Sequence, residues 1–221
     1  MNGFLQRFGC KLVATSAIDW QRSREFRFAG RDLKYFFHYH NCGWPPQRCT
    51  ERTVELAIAD YWLKHVDPKA VWEIGAVTPY YWPGRVGCVV DPVDPHPCVA
   101  IRKSLFLVSF ESQPALSIST LEHAGTGDYG IPGGEHGPID ALEKLFSECP
   151  AFLITLPVGY NRQVDQFVFE ASRVPEDVTV RFLVRVSEVC WRDEAEARAA
   201  QVPYGPQWAN ALVVMERGGV Y

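Results

Sequence analysis

Acidic residues close two short apolar runs near the middle of this chain. Residues 70–77 carry Glu73 and Gly75 toward their carboxyl end, and residues 86–91 form a run of Val and Cys that stops at Asp91. That arrangement suits a nucleoside: a glycine turn lets backbone approach the ligand, and a carboxylate one strand over takes ribose hydroxyls. The full G-x-G-x-x-G fingerprint is absent here, since Gly75 is followed by Ala76, Val77, Thr78 and Pro79.

A third cluster follows a later apolar run, where Ser119 and Thr120 lead through Leu121 to Glu122 and His123. An imidazole titrates near neutrality, which makes His123 the candidate general base, and Glu122 could orient it. Neighbours on a strand point to opposite faces, so both reach one ligand only if a turn begins by Leu121. The plainer reading of all three clusters is that polar residues end strands and cap their neighbours.

Gly125-Thr126-Gly127-Asp128-Tyr129-Gly130 matches G-x-G-x-x-G literally, but Pro132-Gly133-Gly134 follows where a phosphate-binding helix should open. A substrate loop is the better reading, with Asp128, Tyr129, Glu135 and His136 able to contact an acceptor. Asn161, with Gly159, Tyr160, Gln163 and Asp165, forms a further polar loop, in which Asn161 is a second candidate acceptor contact or a left-handed turn residue. His38, His40, Cys42 and Cys49 could hold zinc, yet the paired C-x-x-C spacing is absent and aromatic packing is preferred, so no metal is expected. The usual hydrolase, P-loop and metalloprotease motifs are missing as well.

The elements that would position these residues alternate. A helix is expected over 50–65, opened by Thr50 with Glu51 in its first turn. Strands are expected at 70–77, 86–91, 104–110, 115–121, 151–157, 178–186 and 211–216, with a short helix at 98–103 and an amphipathic one at 139–149. That is an α/β chain with a largely parallel sheet and its ligands at the carboxyl edge. The aromatic-rich residues 1–47 read as an irregular extension packed on a main domain of residues 48–221.

Composition sets the remaining bounds. The chain has 221 residues, 47% of them hydrophobic, enough for a sizeable core, and its net charge of −4 gives no support for a nucleic-acid partner. No apolar run is long enough for a membrane span, and Arg7 and Lys11 interrupt any signal-peptide core. The 7 cysteines, an odd number, fit reduced thiols in a cytoplasmic protein.

The order VWEIG, VVDP, SISTLEHAG, a helix and then FLITLPVGYN resembles the class I S-adenosylmethionine-dependent methyltransferases, and most closely the small methyltransferase-like proteins of bacterial glycan gene clusters. The likeness spans about residues 48–216. It implies a Rossmann-like, mostly parallel seven-stranded sheet with flanking helices and an antiparallel C-terminal hairpin made of residues 178–186 and 211–216. It implies S-adenosylmethionine as cofactor, with Glu73 and Gly75 near its methionine part, Asp91 on the ribose, and Ser119 and Thr120 flanking the sulfonium. Val77 and Pro79 stand where the usual cofactor loop has glycines, and Tyr80, Tyr81 and Trp82 add bulk. The expected activity is methyl transfer to a small-molecule or carbohydrate-type acceptor, with homodimerisation left open. The alternative is a non-catalytic relative that binds or assembles through an altered crevice, and an NAD-type oxidoreductase suffers from the missing glycines.

Overall fold

A computed structural model describes residues 25–36, 50–130, 133–170, 173–187, 190–206, 208–218 and 220. The candidate zinc residues 38, 40, 42 and 49 lie outside these. Two strands, β1 (Glu25–Phe28) and β2 (Arg31–Lys34), form a hairpin. Helix α1 (Glu51–Leu63) precedes β3 (Trp72–Ile74), β4 (Cys88–Val90), β5 (Ala115–Ile118), α2 (Pro138–Glu148), β6 (Phe152–Pro157) and α3 (Arg162–Phe169). β7 (Thr179–Ser187), β8 (Cys190–Glu194), the single-turn α4 (Glu196–Ala199) and β9 (Ala211–Arg217) follow.

Seven strands make one sheet in the order β4-β3-β5-β6-β9-β7-β8. The chain is α/β as expected, but the sheet is mixed rather than mostly parallel. Its β4-β3-β5-β6 half is parallel, while β6-β9, β9-β7 and β7-β8 pair antiparallel through the longer ladders. Residues 179–187 and 211–217 do pair antiparallel, with β9 lying between β6 and β7.

β6 reads FLITLP because both of its faces are covered. Phe152, Ile154 and Leu156 face the layer of α2 and α3, with Leu142, Leu145 and Phe167. Leu153 faces the opposite layer, where α1 and the β1–β2 hairpin supply Val54, Ile58, Trp62, Phe28 and Leu33. The hairpin is tied down at its tip and base: Ala29 N donates to Asp193 Oδ2 at 3.0 Å, and Trp191 N donates to Tyr35 Oη at 2.9 Å. Both acceptor and donor on the sheet side come from the outer strand β8.

Two expected elements do not form. Residues 98–103 are not helical; instead Ile101 makes a lone parallel bridge to Val90 along the edge of β4. Residues 104–110 are not a strand but open with a 3-10 turn, Leu105–Leu107, whose cap Ser104 accepts from Phe106 N. The apolar run misleads because only Leu105 and Phe110 are fully buried, while Leu107 is 74% exposed. The seventh strand is supplied by β8 instead, from a stretch expected to be a polar connection. No helix among the described residues is long and apolar enough to cross a membrane. Cys88, Cys98, Cys149 and Cys190 are free thiols.

Candidate functional site at the carboxyl edge of the sheet

The chain runs from β3 to the outer β4, then crosses back over β3 to β5. Loops therefore leave β3 and β5 in opposite directions, which opens a crevice at the carboxyl ends of these two strands.

The β3 side is held by two carboxylates. Glu73 is fully buried; its Oε1 accepts from Val77 N at 3.1 Å and Thr78 N at 2.7 Å, and its Oε2 accepts from the Thr78 hydroxyl. Burial pushes its pKa up to about 7 against the opposing pull of these donors. Glu73 thus shapes the loop from within and offers a ligand the loop's backbone rather than its own carboxyl. Asp91 does the same across strands: Oδ2 accepts from Ala76 N at 3.1 Å, and Oδ1 accepts from Val93 N at 2.9 Å and Asp94 N at 2.7 Å. A carboxylate has about four acceptor positions, so Asp91 keeps one for a further donor.

Of the bulk after Pro79, Tyr81 and Trp82 turn aside from this crevice, while Tyr80 stays beside the loop that follows β4. Trp82 stacks edge-on against Phe36 at 4.9 Å, and Tyr81 meets the same ring at 6.1 Å, on the hairpin side of the sheet. Tyr80 donates its hydroxyl to Asp94 at 3.0 Å and lies against the His96 ring.

On the β5 side, Ser119 has φ 41 and ends the strand, four residues earlier than a clean alternation to His123 would need. A 3-10 turn, Leu121–His123, starts at Leu121 and lets both Glu122 and His123 face the same edge. The Ser119 hydroxyl is committed to Glu55 Oε1, and Thr120 donates to Ile118 O at 3.1 Å. Neither is a free donor to a ligand.

His123 Nδ1 lies 2.8 Å from Asp128 Oδ2 and 3.2 Å from the Tyr160 hydroxyl, which in turn donates to Asp128 Oδ2 at 3.3 Å. The hydrogen bond from His123 holds Asp128 below the usual carboxylate range, with a further contribution from Thr126. An ionised Asp128 only accepts, so Nδ1 carries the proton and Nε2 bears the lone pair. Nε2 lies 3.7 Å from Glu122 Oε1. Glu122 is 1% exposed, and burial pushes its pKa up to about 8. Burial, with Asp128 nearby, pushes Tyr160 up to about 12, so its hydroxyl stays a donor. The rings of Tyr129 and Tyr160 meet His123 edge-on at 4.9 and 4.8 Å.

No family model, curated protein or solved structure matches this chain.

The expected residues do not all converge. Asp128 orients the His123 ring through Nδ1, and Tyr129, 74% exposed, flanks it. His136 stacks on Phe106 at 4.7 Å and, with Asn161, lines a separate polar cavity of about 520 Å³ formed with Gly125, Gly137 and Gln163. Asn161 has φ −121 and is no left-handed turn residue. It caps α3, an unexpected helix, by accepting from Gln163 N at 3.0 Å, and its Nδ2 donates to Glu122 O at 2.8 Å. Gly125, Gly127 and Gly130 do not open an α-helix; only a kinked 3-10 turn, Asp128–Gly130, forms there, and the next α-helix begins at Pro138.

Three participants were not singled out in the sequence: Tyr160, Arg52 and Glu55. Glu55 is fully buried and accepts from Ser119 and, at 2.8 Å, from Thr155, tying α1 to the ends of β5 and β6. Its signal was legible: Glu55 shares the buried stripe of Ile58, Ala59 and Trp62, and an acid on such a stripe needs buried partners.

Proposed function

We propose that the protein is an S-adenosylmethionine-dependent methyltransferase with a Rossmann-like sheet, acting on a hydroxyl of a small-molecule or carbohydrate-type acceptor. The observation that carries the reading is the oriented base: Asp128 and Tyr160 engage Nδ1 of His123 and leave Nε2 free at the carboxyl edge of the sheet.

The crevice residues fit the cofactor. Gly75, at φ 84, turns the chain tightly at the end of β3 with Thr120 packed where a side chain would lie, and Asp91 retains an acceptor position for a ribose hydroxyl. Tyr81 and Trp82 are turned to the hairpin side, so their bulk does not fill the loop. When bound, S-adenosylmethionine supplies an electrophilic methyl group on a sulfonium, and the transfer yields a thioether and a methyl ether. His123 Nε2 takes the acceptor's hydroxyl proton, while Asp128 holds the resulting imidazolium. Glu73 and Asp91 keep the β3 loop in place, which is positioning rather than chemistry.

A thermal melt tests this. S-adenosylmethionine or S-adenosylhomocysteine should raise the melting temperature, since a ligand that binds the native state stabilises it by mass action. No shift at millimolar ligand sinks the methyltransferase reading and favours a non-catalytic binding protein.

A further inference from the structure

The loops that follow β5 and β6 meet around the cavity of about 520 Å³, whose wall includes Thr126, His136, Asp140 and Gln163. That volume falls within the roughly 300–1,000 Å³ of small-molecule sites. The wall is closely built. A Cβ on Gly125, at φ 69, would lie 1.8 Å from His136 O, so glycine alone lets the two halves of this loop touch, and Gly134 N donates to Gly125 O at 3.3 Å. Thr126 Oγ1 donates to His123 O at 2.9 Å and Asn161 Nδ2 to Glu122 O at 2.8 Å. Two wall residues therefore grip the turn that carries the base.

Charge on this wall selects among ligands. Glu135 and Asp140 contribute two carboxylates, and among the described residues no Lys or Arg lines the cavity. An anion is repelled. Both α2 and α3 begin here, with Pro138 and Gln163 in their first turns, and the positive ends of their dipoles oppose a cation. Pro138 and Ile139 are the only apolar side chains on the wall, too few for a lipid or an aromatic guest. What remains is a neutral ligand rich in groups that both donate and accept, which describes hydroxyls.

The polar groups also converge. Asp140 Oδ2 accepts from Gly137 N at 2.6 Å, which leaves Oδ1 over. Gln163 gives its backbone N–H to Asn161 at 3.0 Å and keeps its side-chain amide for other use. A Cβ placed on Gly137 would lie 3.8 Å from Gln163 Oε1 and 3.9 Å from Asp140 Oδ2. An amide and a carboxylate thus flank one open point, an arrangement suited to two neighbouring hydroxyls. The His136 ring, stacked on Phe106 at 4.7 Å, adds its nitrogens to the same wall.

We propose that this cavity binds a neutral sugar ring through vicinal hydroxyls, with Asp140, Gln163 and His136 as its hydrogen-bonding residues, and that this sugar is the acceptor. The acceptor role rests on the methyl-transfer reading; the binding does not.

The probes are the methyl glycosides of glucose, galactose and mannose, with tetrahydropyran as the same ring without hydroxyls, each titrated into isotope-labelled protein and followed by amide NMR. At least one glycoside should shift the amides of Gly125, Gly134, Gly137 and Gln163 saturably, and tetrahydropyran should not. Gly137→Ala puts a methyl at the flanked point, on a backbone whose φ of −110 accepts it, and Gln163→Ala removes the amide. Each should weaken Kd by roughly tenfold, with the melting temperature near wild type. Binding should persist with saturating S-adenosylhomocysteine. The proposal is overturned by no saturable shift with any glycoside, by equal shifts with tetrahydropyran, or by unchanged affinity in both variants. Saturation by inorganic phosphate or methylammonium in place of the glycosides, or displacement by S-adenosylhomocysteine, overturns it too. Cofactor binding without glycoside binding removes the sugar and leaves methyl transfer standing. Glycoside binding without cofactor binding removes methyl transfer and the acceptor role, and leaves the sugar site.

Discussion

Thr120 fills the space that a side chain on residue 75 would need: a Cβ built on Gly75 would lie 2.2 Å from Thr120 Oγ1. The two residues end neighbouring parallel strands, so the crevice floor depends on one of them being small. Gly75→Ala meets this overlap and also φ 84, and should cost about 2–4 kcal/mol. Pairing it with Thr120→Ala relieves the overlap but not the dihedral, so urea unfolding should recover roughly half of that loss. Full recovery, or none, would contradict this division.

Asp91 can be tested without dismantling its loop. Asp91→Ala strands the amides of Ala76, Val93 and Asp94, so lost ligand binding in that variant is ambiguous. Asp91→Asn keeps an oxygen for Val93 and Asp94 and places an amide against Ala76 N. We expect the unfolding free energy to fall by about 1 kcal/mol, while the melting shift from S-adenosylhomocysteine disappears. A retained shift would remove Asp91 from the ribose.

His123→Ala should lower turnover by ~10²–10⁴-fold. Tyr160→Phe keeps the ring contacts to His123 and Tyr204 but loses the hydroxyl at Nδ1 and Asp128. Its melting temperature should stay near wild type while turnover drops. If turnover is unchanged, the tyrosine only packs.

Asn161→Ala removes the cap of α3 and the amide that holds Glu122 O. Loss of such a cap costs about 0.5–2 kcal/mol. Asn161→Asp keeps the cap but cannot donate to Glu122 O, so measuring both by chemical unfolding separates the two bonds.

Glu122 and Glu51, with pKa values raised to about 8 and about 7, make stability depend on pH in a definite direction. In the unfolded chain these carboxyls ionise at ordinary values; in the fold they prefer to stay protonated. Their favourable contribution is complete below the unfolded pKa and is lost as pH rises through the folded values. Glu122→Gln should therefore gain on wild type steadily from pH 5 to pH 8 and then level off, as read by melting temperature. A gap that narrows over that range would contradict the burial of an uncompensated carboxyl.

The parallel half of the sheet was legible because 72–74, 88–90, 115–118 and 152–157 lie in short, largely apolar runs bounded by turn residues, and length with those boundaries marks them as strands. Residues 104–110 show the limit of that signal. Apolar content there is high, but pairing needs a neighbour, and Ile101 already occupies the edge of β4. β8 was missed for the opposite reason. Its sequence CWRDE looks like a connection, and only Trp191 is buried, held by β1, β2 and Tyr35 far away in sequence. At the candidate site, the position of His123 just past β5 was legible in the sequence, and a 3-10 turn holds it there. Its partners Asp128 and Tyr160 lie 5 and 37 residues away, and such distances close only in the folded chain.

The bonds from Ala29 to Asp193 and from Trp191 to Tyr35 span 164 and 156 residues. During synthesis, the β1–β2 hairpin emerges long before the strand that fastens it. Its apolar side, Phe26, Phe28 and Leu33, must wait until nearly the whole chain is made. Long-range closure of this kind slows folding and prolongs exposure of sticky surface. The hairpin is thus a late clasp: truncating the chain before β8 should leave an aggregation-prone nascent product rather than a smaller stable domain.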